Sequence, residues 1–164
     1  MNISPALLAA ALALPLLACR ASPSPARSHV VFVCEHGAAK SVVAAAYFNQ
    51  LAAERGLVMR AIARGADPQA LPSRSAVEGL RGDGLPSPEG PPRPLAAAEL
   101  RGAAHVVVFD CGQPGMKALR AMDRCWDDVP ATGDGYARAR DIIRAHVTQM
   151  LDELSDGQAG TTAR

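Results

Sequence analysis

Two short runs, HVVFV at His29 to Val33 and AHVVVF at Ala104 to Phe109, constrain this chain more than any other feature. Both are continuously apolar and rich in β-branched residues, the pattern of a strand buried on both faces of a parallel sheet. Parallel neighbours cannot be joined by tight turns, so helical crossovers must lie between them. The intervening sequence supplies these. Ser41 to Arg55 sets Val43, Tyr47, Phe48 and Leu51 on one face and stops at Gly56; Leu57 to Ala63 reads as another strand; Pro72 and Ser73 open a helix through Leu80 that Gly82-Asp83-Gly84 ends.

Leu85 to Pro94 (LPSPEGPPRP) has five prolines in ten positions and is neither helix nor central strand, so it is an extended surface connection. Leu95 to Arg101 is expected as a short helix, Ala118 to Met122 as helical, Arg124 to Trp126 as a last short strand and Asp127 to Gly135 as a loop. From Tyr136 to Leu154, Ala139, Ile143, Val147, Met150 and Leu154 recur at helical spacing. Ser155 to Arg164 is polar, contains Gly, and is expected to be disordered. Strands alternating with helices make an open parallel α/β sheet covered on both faces, and 164 residues suit one domain. The formal charge of +1 gives no electrostatic reason to expect a nucleic-acid partner.

Such sheets bind ligands at the carboxyl ends of their strands. Cys34 to Ser41 (CEHGAAKS) stands there, between the first strand and the first helix. A loop in that place aims several backbone N–H groups at one point, and the helix dipole adds positive charge. The same field favours a thiolate at Cys34, to which Ser41 can donate its hydroxyl, while Lys40 adds a full positive charge. A nucleophile beside a bound oxyanion is the minimum apparatus for displacement at phosphorus.

The N-terminus carries an apolar stretch, Ala6 to Ala18, too short to span a bilayer comfortably and ending in small residues. This is a secretory-signal pattern, and Leu16-Leu17-Ala18-Cys19 resembles a lipobox whose cysteine is acylated, although no Lys or Arg precedes Arg20. Residues 1–19 are therefore expected as a signal peptide with Cys19 lipidated, 20–28 as a flexible tether and 29–154 as the domain. The expected location is that of an exported, periplasmic lipoprotein, with the cytoplasm as the alternative. Of the four cysteines, lipidation takes Cys19 and leaves an odd number; a Cys111 to Cys125 disulfide with Cys34 free is the simplest pairing.

Cys, five residues, a basic residue and Ser, directly after VVFV and before VVAAAYFNQLAAERG, resembles the low-molecular-weight protein tyrosine phosphatase family and its thiol-dependent arsenate reductase relatives, over roughly Ser28 to Leu154. The resemblance implies an open three-layer α/β/α fold of the phosphotyrosine protein phosphatase I type with a four-stranded parallel sheet. It implies hydrolysis of a phosphate monoester, phosphotyrosine among the candidates, through a phosphocysteine on Cys34. Glu35, His36, Gly37, Ala38, Ala39 and Lys40 then form the phosphate cradle and Ser41 stabilises the thiolate. The leaving oxygen is protonated from the segment CWDDVPATGDGY, by Asp128 with Asp127 in reserve, although Val129 separates Asp128 from Pro130 where the family has the pair adjacent. The cleft walls are assigned to Gly65 to Leu71 and Gly133 to Tyr136.

The family's basic residue is arginine, whose planar fork grips two oxygens; Lys40 is a point charge on a flexible stem, so weak turnover is expected. Gly37 replaces an asparagine that holds the family's loop in shape, and Glu35 opposes the negative charge of thiolate and substrate unless it points outward. Two other activities remain open. One is an arsenate reductase passing oxidation from Cys34 to Cys111 and Cys125; the other is a non-catalytic module that binds an oxyanion. Cys34, Glu35 and His36 are too close in sequence to converge on a metal, so no metal or cofactor is expected. The expected partner is a phosphorylated substrate or an inorganic oxyanion, with membrane contact only through a lipid on Cys19, and the chain is expected to be a monomer.

Overall fold

The structure, a computed structural model, describes residues 29–88, 90–119 and 122–162. The expected signal peptide, the lipidated Cys19 and the tether fall outside the described residues. The elements are β1 (His29–Cys34), α1 (Lys40–Glu54), β2 (Arg60–Gly65), α2 (Arg74–Gly82), α3 (Ala97–Gly102), β3 (Ala103–Phe109), β4 (Arg124–Trp126) and α4 (Tyr136–Thr162), with short 3₁₀ helices at Pro114–Leu119 and Thr132–Asp134. The four strands are all parallel, in the order β2-β1-β3-β4. No helix among the described residues is long and apolar enough to cross a membrane.

The continuous apolar strands do what their pattern requires. Side chains alternate across a strand, so a run buried throughout must serve two cores. Val30 and Phe32 face one core with Val43 and Phe48 of α1, Leu80 of α2, and Ile143, Val147 and Met150 of α4. Val31 and Val33 face a smaller one with Val106, Val108 and Met116, roofed by Leu100 of α3. Each fully buried side chain of this kind contributes about 2 kcal/mol. Phe32 also lies 6.0 Å from Phe48 and 5.5 Å from Trp126 between ring centroids, which makes a stiff platform under the end of β1.

Several expectations shift. The second strand is later than Leu57 to Ala63, because Arg60 to Gly65 is the stretch that pairs residue for residue with His29 to Cys34; Val58 is left 94% exposed. The helix expected at Ala118 to Met122 is a 3₁₀ helix starting earlier, at Pro114, whose fixed φ suits a helical first turn. The polar tail expected to be disordered from Ser155 is helical as far as Thr162. Extending a helix already packed on the core needs no new nucleus, and the Ser155 hydroxyl donates back to the Leu151 carbonyl at 2.9 Å.

A polar cluster joins α1, α2 and α4 away from the strand ends. Asp83 accepts from the hydroxyls of Tyr47 (2.8 Å) and Tyr136 (2.6 Å) and from Arg140 (3.1 Å). Burial works against the Asp83 carboxylate, but these donors outweigh it and hold the group below the usual carboxylate range. Burial and the neighbouring Asp83 push the Tyr47 phenol up to about 12.

Candidate functional site

The loop from Cys34 to Lys40 is shaped by where its carbonyls go. The Cys34 carbonyl accepts from Ala66 N–H (3.1 Å), Glu35 from Asp67 (2.7 Å), His36 from Gln69 (3.3 Å), Ala38 from Ser73 (3.0 Å) and Ala39 from Val43 (3.0 Å). The segment after β2 therefore holds four of these carbonyls, those of Cys34, Glu35, His36 and Ala38, while the Ala39 carbonyl begins the ladder of α1. Among the described residues, no carbonyl accepts from the N–H groups of Glu35 to Lys40, and of these residues Glu35, His36, Ala38, Ala39 and Lys40 line the cavity described below. Helix α1 adds its own first-turn donors, since no side chain caps its N-terminus at Ala39.

Gly37 makes this path possible. Its φ of +63° lies in the left-handed region, and a Cβ there would stand 2.6 Å from the Gly65 nitrogen. Gly65 presses equally close from the other side, so the two glycines lie back to back. Gly65 is in turn held by the proline-rich connection, donating to the Arg93 carbonyl (2.9 Å) and accepting from Leu95 N–H (3.0 Å). The connection thus braces the back of the loop. Next to it the Arg64 guanidinium meets Glu99 of α3, with Nε 2.9 Å from the carboxylate, and holds the Glu99 carboxyl below its ordinary range.

Cys34 is buried at the foot of this loop, with Sγ 3.1 Å from the Ser41 hydroxyl. Ser41 is itself fully buried, so its hydroxyl is fixed on the sulfur. Lys40 Nζ is bound by both carboxylate oxygens of Asp110, at 2.7 and 2.9 Å. Above them lies a cavity of about 270 Å³. Cys34, Glu35, His36, Ala38, Ala39 and Lys40 line its floor, and Gln69, Ser73, Asp110 and Thr132 are among the residues of its walls. A Ser75 bridge, 2.9 Å to both Ser73 and Thr132, joins two of these wall segments. Gly37 and Ser41 are not on the cavity surface; they shape and polarise it from behind.

Glu35 and His36 turn toward each other, 3.9 Å apart, and are both about half exposed, so the Glu35 charge faces outward. His36 donates to the Asp67 carbonyl at 3.2 Å.

The two carboxyls expected to supply the proton are not brought to this cavity. Asp128 faces α4, where His146 Nε2 stands 2.9 Å from both of its oxygens and stacks on Trp126. Asp127 accepts the Cys111 N–H at 2.6 Å in the turn that follows β3 and, with Asp110, lines a neighbouring cavity instead. The reason is the length of β4: it ends at Trp126, whose burial under Phe32 and Phe109 fixes where the next two residues can point. The carboxyl that does reach the cavity from this side is Asp110, which sequence reasoning passed over. The available signal was its position, the first residue beyond a buried strand and hence at the carboxyl edge of the sheet.

Cys111 and Cys125 are joined in a disulfide with Cα atoms 6.1 Å apart, and Cys34 is the free cysteine among the described residues. The pairing follows from the sheet: Cys125 lies beside Val108 in register, three residues before Cys111. The one group of adjacent potential metal ligands among the described residues is Cys111, Cys125 and Asp127, and its two sulfurs are bonded to each other.

No family model and no curated protein matches this chain. Solved structures do. A low-molecular-weight phosphotyrosine phosphatase from Vibrio cholerae O395 superposes with a TM-score of 0.68 at 12% identity, covering 79% of this chain and 98% of that one. The YwlE arginine phosphatase from Geobacillus stearothermophilus gives 0.66 at 19%, covering 81% and 96%. An arsenate reductase from Archaeoglobus fulgidus DSM 4304 gives 0.61 at 22%, covering 75% and 98%. The four-stranded α/β fold is therefore one that phosphatases and arsenate reductases share.

Proposed function

We propose that the chain is a cysteine-dependent phosphatase acting on a phosphate monoester. The carrying observation is the Cys34 thiol, 3.1 Å from a buried serine hydroxyl, at the foot of a loop in which the carbonyls of Cys34, Glu35, His36 and Ala38 are tied to the segment after β2. Loop N–H groups and the α1 terminus neutralise the equatorial oxygens, Cys34 Sγ attacks phosphorus, and water then releases phosphate from the S–P bond. Lys40 adds charge to the grip, and its pairing with Asp110 opposes tight binding. Among the described residues the cavity walls carry Gln69, Ser73 and Thr132 and no aromatic ring, which favours a small polar ester over phosphotyrosine. Hydrolysis of p-nitrophenyl phosphate by the wild type and its loss in Cys34→Ser test this; phosphate binding without Cys34-dependent hydrolysis favours the binding-module reading instead.

The arsenate reductase reading has one observation of its own: Cys111 and Cys125 lie close enough to bond. That reading needs the pair reduced at the start of each cycle, whereas hydrolysis uses Cys34 alone and proceeds with the disulfide closed. Arsenate-dependent oxidation of a thioredoxin system separates the two. The closed disulfide also supports the proposal of export, because such bonds persist in oxidising compartments. Cell fractionation and the mass of the mature N-terminus test that proposal.

A further inference from the structure

We propose that Asp110 is the proton donor of this site, held on Lys40 until a bound oxyanion draws the lysine away. The inference rests on the phosphatase reading and departs from the expected donors. Asp128 is engaged by His146 and Asp127 by the Cys111 N–H. Asp110 lines the cavity, binds the loop's only cation through both oxygens, and is the more enclosed of the two carboxylates there; Glu35 leans toward His36.

Its position is built rather than incidental. Asp110 has a φ of 55°, the one positive value among the described non-glycine residues. The turn that imposes it is fastened on three sides. The Asp110 carbonyl accepts from Gln113 N–H (2.9 Å), the next residue's N–H is held by Asp127, and that same residue is bonded to Cys125 of β4. The disulfide and Asp127 are thus positioning devices for Asp110.

The chemistry follows from exchange of partners. In the empty site Lys40 and Asp110 neutralise each other. A phosphate ester in the cradle offers Lys40 a stronger charge, and the lysine's flexible stem allows the move. Asp110 is then left beside the bound ester without a cation, its carboxyl oxygens free to hold a proton for the leaving oxygen. As Cys34 Sγ bonds to phosphorus, the ester oxygen leaves with the Asp110 proton, giving phosphocysteine, the alcohol and a carboxylate. In the second half Asp110 takes a proton from water as its oxygen bonds to phosphorus. The S–P bond breaks with its electrons on sulfur, and hydrogen phosphate departs.

The test compares phenyl phosphate, a poor leaving group, with p-nitrophenyl phosphate, and adds binding of inorganic phosphate. Asp110→Asn is expected to lose about 100-fold in kcat/KM on phenyl phosphate and less than about tenfold on p-nitrophenyl phosphate, because kcat/KM reports the steps up to release of the alcohol and not the phosphocysteine hydrolysis common to both esters. It is also expected to bind inorganic phosphate about tenfold more tightly, since Lys40 is no longer occupied. Equal losses on both esters, or weaker phosphate binding, overturn the proposal, as does a leaving-group-dependent loss that falls on Glu35→Gln or Asp128→Asn. Should Asp110→Asn not fold, Asp110→Gly, which accepts the positive φ, decides with a series of aryl phosphates: a kcat/KM nearly independent of leaving-group acidity in the wild type and steeply dependent in Asp110→Gly supports the proposal, and the same dependence in both overturns it. Absence of Cys34-dependent hydrolysis of either ester by the wild type overturns the phosphatase reading itself, a result distinct from any of these.

Discussion

The two sides of the cavity are built by different means. On the β1 side, the oxyanion grip is made of backbone: carbonyls tied to the segment after β2, loop N–H groups, and two glycines packed against each other. On the β3 and β4 side, the site is made of side chains from separate stretches, with Asp110 aimed by a disulfide and by Asp127. A backbone site tolerates changes of side chain but not of chain path. A side-chain site depends on a few particular atoms whose positions are fixed by distant residues. The two halves should therefore fail in different ways.

Gly37→Ala breaks the backbone half and has the largest expected effect on stability. It forces a Cβ against the Gly65 nitrogen at a left-handed φ, and a loss of about 4 kcal/mol is expected in chemical denaturation. Phosphate binding should disappear with it. Cys125→Ser breaks the other half. Opening a bridge between residues 14 apart should cost about 3 kcal/mol, while phosphate still binds to the intact cradle and turnover falls. A Cys125→Ser protein that loses phosphate binding as completely as Gly37→Ala would erase the distinction.

Ser41→Ala probes the seam between the halves and the nucleophile. Removing the buried hydroxyl from the sulfur is expected to lower kcat about tenfold with little change in phosphate affinity. Asp83→Asn lies outside both halves and should cost only about 1 kcal/mol, with activity kept. Its pH dependence has a definite sign. The Asp83 carboxyl is held below its usual range, so its stabilising contribution is complete above about pH 4 and is lost as pH falls through the folded-state value. The stability gap between wild type and Asp83→Asn should then narrow in acid, as denaturation midpoints would record.

The same division explains what the sequence made legible. The β1 half is local: an apolar run, a cysteine, a glycine and a Lys-Ser pair at a helix start lie in consecutive positions, so their arrangement can be read directly. Its bracing could not, because the partner of Gly37 is Gly65, and what holds Gly65 is a proline-rich stretch that read only as a connection. The other half is non-local. The choice among Asp110, Asp127 and Asp128 depends on the β3 to β4 register and on the burial of Trp126, neither of which has a local signature. The tail after Leu154 shows the opposite case: its local polarity points to disorder, while α4 continues to Thr162.

Under the proposed mechanism Cys34 carries the phosphoryl group during turnover. The deciding measurement is an alkaline, denaturing quench of the wild-type protein during hydrolysis of p-nitrophenyl phosphate, which spares an S–P bond that acid would cleave, followed by mass spectrometry of the chain. One phosphate per chain is expected, located on Cys34 and absent in Cys34→Ser. Hydrolysis that persists in Cys34→Ser, or proceeds with no phosphate on Cys34, would contradict it.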